Sequence, residues 1–296
     1  MSHIEILDGG MGHQLKNMGA PFKQPEWSAL SLMEAPETVT QAHKAFIDAG
    51  CDIITTNAYA LIPFHIGQER FDKEVDLLIE RAMTCARMAT DGKADKKIKI
   101  AGCLPPAFGS YEPDLFNPNK ANDIYVPLIE GQVNHIDFWL AETMSSTTEA
   151  QKIIELTQPT KKPLWLSYSL KDRYGEDEDV QLRSGESLQD AVKVAIDGGV
   201  ETLLFNCCQP EEITDALRLI RDMDISIALG GYANKFDKRD HKGANEKISP
   251  QRQDITPSAY FEFAKQWQSL GASVIGGCCG IGNDHIAELQ QLKKQR

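Results

Sequence analysis

Eight short apolar runs, separated by longer amphipathic stretches, predict a (β/α)8 barrel, the α/β class known as the TIM barrel, for this 296-residue chain. Several of the helical stretches open on helix-start residues, and several close on glycine just before the next run. Eight such units over this length fit a closed barrel better than an open doubly wound sheet. The long polar or aromatic loops 104–119, 171–186 and 230–256 each follow a strand, and in a barrel such loops share the face that carries the active site.

The strand candidates, in order, are 4–7, 51–55, 98–103, 136–141, 164–168, 202–205, 226–229 and 273–275. Helical periodicity marks 36–49, 73–90, 147–156, 187–197, 210–221 and 257–270 between them. Ala35-Pro36-Glu37, the segment 145–149, and Thr256-Pro257-Ser258 with Glu262 supply start signals. Gly50, Gly198-Gly199 and Gly271 supply stops. No internal repeat, low-complexity tract or linker interrupts the pattern, so a single domain over 1–296 is expected.

The 43 acidic residues outnumber 31 basic ones, and a net charge of -12 argues against nucleic acid and anionic membrane as partners. No apolar stretch approaches the roughly 18 residues of a membrane helix. The start, Met1 to Asp8, reads as a strand and not as a secretory signal. With seven cysteines, that points to a reducing, cytoplasmic setting in which thiols bind metal or pack in the core. Cys51, Cys85 and Cys103 have apolar neighbours and are expected to be core residues.

The remaining cysteines are different. Cys207-Cys208 follows the sixth run and Cys278-Cys279 the eighth, which puts both pairs on the active face. Adjacent cysteines are poor disulfide partners, because their Cα atoms lie about 3.8 Å apart, below the usual span of roughly 4.4–6.8 Å. Thiolates gathered at strand ends suit zinc. Three ligands, Cys207, Cys278 and Cys279, with an exchangeable fourth position would be catalytic. A closed site with Cys208 as fourth ligand, or four inert core cysteines, are the alternatives. A zinc ion on three thiolates is a weak acid toward water, yet it holds a thiol substrate as thiolate, which suits alkyl transfer to sulfur.

Five segments now stand in order: Asp8-Gly-Gly-Met-Gly12, Thr55-Thr-Asn-Ala-Tyr59, Ala141-Glu-Thr143, Asn206-Cys207 and Gly276-Gly-Cys-Cys-Gly280. With them the chain resembles the homocysteine S-methyltransferase family from Leu7 to about Leu289. The resemblance implies a zinc-dependent barrel enzyme that methylates homocysteine to methionine, with the ion on Cys207, Cys278 and Cys279. It further implies that Asp8, with the backbone at Gly9 and Gly10, forms the amino-acid site, and that Glu142 pairs with the substrate ammonium. Trp27, in Pro25-Glu-Trp-Ser-Ala29, and Asn206 join the substrate-binding group on the same ground. The implied partners are small molecules, homocysteine and a methyl donor.

A sulfonium or quaternary ammonium donor is a cation that aromatic faces attract. Trp27, Tyr59, Phe108, Tyr111 and Tyr168 are the candidates to line its pocket. S-methylmethionine or S-adenosylmethionine is the preferred donor. A betaine-like donor, or a methyl group delivered by a separate cobalamin protein, is the alternative. A non-catalytic zinc- or thiol-binding barrel is the rival from another class. Departures from the family pattern include the extra Cys208, Thr143 where the betaine enzyme has tyrosine, and Ala233 for proline in Tyr232-Ala-Asn234, which predicts a less rigid loop. The charged run 235–246 is expected to be a solvated loop, with a lid as the alternative reading.

Overall fold

The apolar runs pair edge to edge. In the computed structural model, which describes residues 4–91, 97–175, 178–223, 225–239, 243, 245–247 and 249–294, the strands are β1 (Glu5–Ile6), β2 (Ile53–Thr55), β3 (Lys99–Leu104), β4 (Phe138–Met144), β5 (Leu164–Tyr168), β6 (Thr202–Asn206), β7 (Ala228–Tyr232) and β8 (Ala272–Ile275). All pair in parallel, in the order β1-β8-β7-β6-β5-β4-β3-β2. A bridge between Leu7 and Ile53, with Asp52 N–H donating to the Ile6 carbonyl at 2.7 Å, joins β1 to β2 and completes the ring.

Alternation along each strand divides the core in two. Leu7, Ile53, Ala101, Phe138, Leu140, Trp165, Leu204 and Val274 fill the barrel, where Phe138 stacks on Trp165 with centroids 4.1 Å apart. The opposite faces meet the helices in a larger layer built on residues such as Leu166, Leu203, Phe205 and Ile275. Local chemistry fixes the helix ends. Ser146 and Glu149 form a reciprocal capping box at Thr147–Thr157, Thr256 caps Pro257–Ser269 through Ala259 N–H, and Gly50 closes Pro36–Ala49 at φ 103°.

Two strands differ from expectation in a way that matters for the site. β7 runs two to three residues later than 226–229, because Gly230 and Gly231 lie inside it. A Cβ on Gly230 would meet the Val274 carbonyl oxygen at 2.0 Å, so a residue type that weakens most strands is the one this close β7–β8 approach requires. β4 extends to Met144, with a register irregularity between Ala141 and Met144 that carries Glu142 and Thr143. Helices Met11–Asn17, Ser28–Glu34, Ala121–Gln132 and Asn283–Leu289 were not anticipated: three have only seven residues, and the third carries Pro127 within it. Among the described residues no helix is long and apolar enough to cross a membrane.

Candidate active site

Loops at the C-terminal ends of the strands enclose a cavity of about 240 Å³. Asp8 enters it from the end of β1, Glu142 from β4, Cys207 from β6, Tyr232 from β7, and Cys278 and Cys279 from β8. Backbone bonds stitch these ends together. Gly277 N–H donates to the Asp8 carbonyl at 3.0 Å, Cys278 N–H to Ala233 at 2.9 Å, and Gly10 N–H to Ile281 at 2.8 Å. Gly9 and Gly10 permit the contact: a Cβ on Gly9 would lie 2.5 Å from the Ile281 carbonyl, and one on Gly10 2.5 Å from that of Cys278.

The loop after β7 is better anchored than the missing proline suggested. Ala233 N–H donates to the Tyr260 hydroxyl at 3.0 Å, and that hydroxyl donates to the Gly276 carbonyl at 2.6 Å. Proline has no N–H to give, so this tie between β7, β8 and Tyr260 exists because residue 233 is alanine. Of the charged run 235–246, residues 240–242 and 244 lie outside the described residues.

The sulfurs of Cys207, Cys278 and Cys279 all lie within 4.8 Å of one another. Cys278 donates to Cys207 at 2.8 Å, and the sulfurs of Cys207 and Cys279 are 3.8 Å apart. The Tyr111 hydroxyl donates to Cys207 Sγ at 2.9 Å. Hydrogen bonds from Cys278 and Cys279 hold the Cys207 thiol well below its usual range despite burial, with Tyr111 and the Arg183 charge adding to the effect. Cys208 is wholly buried and packs in the layer between strands and helices. Burial pushes its thiol up, and it takes no part in the cluster.

This donor set fits zinc. Tetrahedral zinc with Zn–S bonds near 2.3 Å separates its sulfurs by about 3.8 Å. The Cys207–Cys279 distance of 3.8 Å already meets that edge, while the Cys207–Cys278 pair, at 2.8 Å, would have to open by about 1 Å to do so. With Cys208 directed elsewhere, three sulfurs leave a position for another ligand, as in catalytic rather than structural sites.

The carboxylates form a second group. Asp8 accepts from Thr55 N–H at 2.8 Å and Thr55 Oγ1 at 3.1 Å. Burial pushes its carboxyl up to about 8, and the Glu142 charge adds to the shift. Glu142 accepts from Cys103 Sγ at 3.0 Å and, more loosely, from the Tyr232 hydroxyl at 3.5 Å. Burial raises it to about 7, against the opposing pull of the Cys103 hydrogen bond. Cys103 lies in the core as expected, and it also touches the site through Glu142.

Asn206 stands beside the cluster but does not line the cavity. Its side-chain oxygen accepts from Thr143 N–H at 2.8 Å and Ser167 Oγ at 2.7 Å, and its amide donates to Thr143 Oγ1 at 2.9 Å. Of the aromatic candidates, Trp27, Tyr59 and Tyr111 line the cavity, joined by Phe22 and Phe236. Phe108 packs on Phe116 instead, with centroids 5.9 Å apart, and Tyr168 is buried in the outer layer. The Tyr111 ring already carries two guanidinium groups, Arg183 at 4.6 Å and Arg239 at 4.1 Å from its centroid, so it is a poor face for a cationic donor. Tyr59 binds Ser110 Oγ through its hydroxyl at 2.6 Å, and Trp27 donates to Asn245 Oδ1 at 2.6 Å.

Backbone conformation marks the same place. Among the described residues five other than glycine have positive φ, and four of them, Trp27 (49°), Tyr111 (70°), Thr143 (65°) and Cys207 (53°), line this cavity. Such conformations cost energy and gather where surrounding structure imposes them for function.

A model of the family described as homocysteine S-methyltransferase matches residues 5–292. The chain belongs to that family. It is thus a methyltransferase acting on a thiol. Its relatives include homocysteine S-methyltransferase 1 of Arabidopsis thaliana, 27% identical over 98% of this chain and 94% of that protein. Selenocysteine methyltransferase of Astragalus bisulcatus is 24% identical over 97% of this chain and 91% of its own length. The metallated form of the homocysteine methyltransferase MmuM from Escherichia coli superposes with a TM-score of 0.79 at 24% identity, covering 98% of this chain and 96% of that one, and shares its barrel fold.

Proposed function

We propose that this enzyme transfers a methyl group from a sulfonium donor, S-methylmethionine or S-adenosylmethionine, to the thiol of homocysteine, giving methionine. The observation that carries the reading is the placing of three clustered cysteine sulfurs and two carboxylates, the buried Asp8 and the half-buried Glu142, around one cavity. The first group suits a thiol and the second an ammonium, and homocysteine has both.

In this reading Cys207, Cys278 and Cys279 hold zinc, and the metallated form of the bacterial relative supports a bound metal in a chain of this fold. When bound, zinc ionises the substrate thiol at neutral pH and keeps its sulfur nucleophilic. Tyr111 and Arg183 offset the negative charge that three thiolates concentrate around Cys207. Asp8 and Glu142 anchor the ammonium, which fixes the distance between the amino-acid end and the reacting sulfur. Trp27, Tyr59, Phe22 and Phe236 offer aromatic faces to the cationic donor. The sulfur lone pair forms the new S–CH3 bond as the donor's C–S+ bond breaks. A neutral sulfide leaves, and the thiol proton is released.

The test is zinc-loaded protein with homocysteine and, separately, S-methylmethionine, S-adenosylmethionine, betaine and dimethylsulfoniopropionate, with methionine read by mass spectrometry. Methionine from a sulfonium donor, lost in Cys278→Ala and Cys279→Ala, is the expected result. Methionine from betaine alone would replace the donor class. No methionine from any of them, with zinc bound, would overturn small-donor chemistry in favour of a methyl group delivered by another protein.

A further inference from the structure

We propose that Cys103 is a positioning residue that sets the Glu142 carboxylate for the substrate ammonium, and so helps select amino-acid thiols over other thiols. The proposal rests on the reading of Glu142 as the ammonium's partner.

Cys103 lies near the end of β3, fully buried, with Sγ 3.0 Å from Glu142 Oε1. It does not line the cavity, so it acts on substrate only through Glu142. Among the described residues, a second hydrogen bond to that carboxylate, from the Tyr232 hydroxyl to Oε2, is longer at 3.5 Å. A carboxylate oxygen has room for more than one donor. A thiol that occupies one lone pair of Oε1 fixes the rotation of the group and leaves its other lone pairs for an incoming cation. Burial and the neighbouring charges of Glu142 and Asp8 push the Cys103 thiol well up, so it stays a proton donor.

The thiol is itself held in place. Cys103 N–H donates to Thr56 Oγ1 at 3.0 Å, Thr56 Oγ1 donates to Gln132 Oε1 at 2.7 Å, and Gln132 Nε2 donates back to the Cys103 carbonyl at 3.1 Å. Gln132 is wholly buried and Thr56 nearly so. A closed ring of buried hydrogen bonds, reaching from the end of β2 to helix Ala121–Gln132, thus locks both backbone groups of Cys103. Packing alone does not call for polar groups at these depths, since each costs free energy unless paired. Orientation of the carboxylate gives the arrangement a purpose.

The experiment measures dissociation constants of zinc-loaded protein by calorimetry, without donor, for L-homocysteine and for 4-mercaptobutyrate, the same thiol lacking the ammonium. Wild type, Glu142→Gln, Cys103→Val and Cys103→Ser are compared. Cys103→Val is expected to weaken homocysteine about tenfold, the scale of a lost hydrogen bond to a charged group, and 4-mercaptobutyrate by less than about twofold. Cys103→Ser, which keeps a donor, restores homocysteine binding. Equal losses for both ligands in Cys103→Val, no loss for either, or failure of serine to rescue would overturn the proposal. Glu142→Gln separates the two levels: if it weakens both ligands alike, the reading of Glu142 falls and the proposal with it; if it is selective while Cys103→Val is not, only the role of Cys103 falls.

Discussion

The hydroxyl of Tyr111 donates to Sγ of Cys207 at 2.9 Å, and it does so from a residue at φ 70° to a residue at φ 53°. Both backbones are strained, and Arg183 and Arg239 stack on the ring that joins them. Arg183 also donates to the Cys207 carbonyl at 3.3 Å, so the cysteine is gripped at backbone and sulfur together. Tyr111→Phe keeps the stacking and removes only the bond to sulfur. It is expected to lower zinc affinity by about 10- to 100-fold, the usual effect of losing a partner of a metal ligand, while the melting temperature of the metal-free protein hardly moves. Competition against a chelating dye measures the first and calorimetry the second. An unchanged zinc affinity would make the phenol a packing group only.

Cys208 adjoins Cys207 in sequence but points into the layer between strands and helices. Alanine at Cys207, Cys278 or Cys279 is expected to abolish zinc retention, read by metal analysis after gel filtration. Cys208→Ala is expected to keep one zinc per chain and to cost about 1 kcal/mol of stability for the small cavity it leaves. Loss of zinc in Cys208→Ala, with the protein still folded, would instead indicate a closed four-cysteine site.

How much of this was legible beforehand follows from how far each signal reaches along the chain. The barrel was legible, because strand and helix periodicities are local, and eight apolar runs with six helical stretches between them already imply the repeat. The sulfur cluster was legible too, since both cysteine pairs directly follow apolar runs. What escaped depended on contacts across the ring. Cys103 is the core residue its apolar sequence neighbours imply, but its bond to Glu142, 39 residues away, leaves no mark in those neighbours. Tyr111 and Tyr168 looked alike as loop or strand-end aromatics, yet one binds Cys207 and the other faces the helices. Ala233 looked like a weakened turn until Tyr260 supplied the partner for its N–H. The doublet Gly230-Gly231 hid the end of β7, because its close approach to β8 is a property of two strands and not of one.

Gly10 offers a test of how rigidly the loops after β1 and β8 are fitted together. A Cβ there would lie 2.5 Å from the carbonyl oxygen of Cys278, a backbone atom that cannot step aside without moving its own sulfur. Gly10→Ala is expected to destabilise the fold by about 1–3 kcal/mol, as overpacking does, and to weaken zinc binding disproportionately. Gly12→Ala is the comparison, because its Cβ would meet the Phe22 ring at 2.7 Å, a side chain and not a backbone atom joined to a cysteine ligand. Equal zinc affinities in the two variants would show that the β8 loop absorbs the shift.

The raised carboxyls give homocysteine binding a pH dependence of definite sign. Asp8 near 8 and Glu142 near 7 are both largely protonated at pH 6, and an ammonium pairs with them best when they are ionised. Binding of the ammonium must then expel protons, so affinity rises as pH rises through 7 and 8 and falls about tenfold for each unit below a carboxyl that has to ionise. Ionisation of the thiol adds a slope of the same sign, but 4-mercaptobutyrate shares that slope and lacks the ammonium. The ratio of the two dissociation constants therefore isolates the carboxylates. It is expected to shift in favour of homocysteine by about tenfold or more between pH 6 and pH 8, and Glu142→Gln is expected to flatten the curve. A ratio independent of pH in the wild-type protein would mean that neither carboxylate meets the substrate's charge.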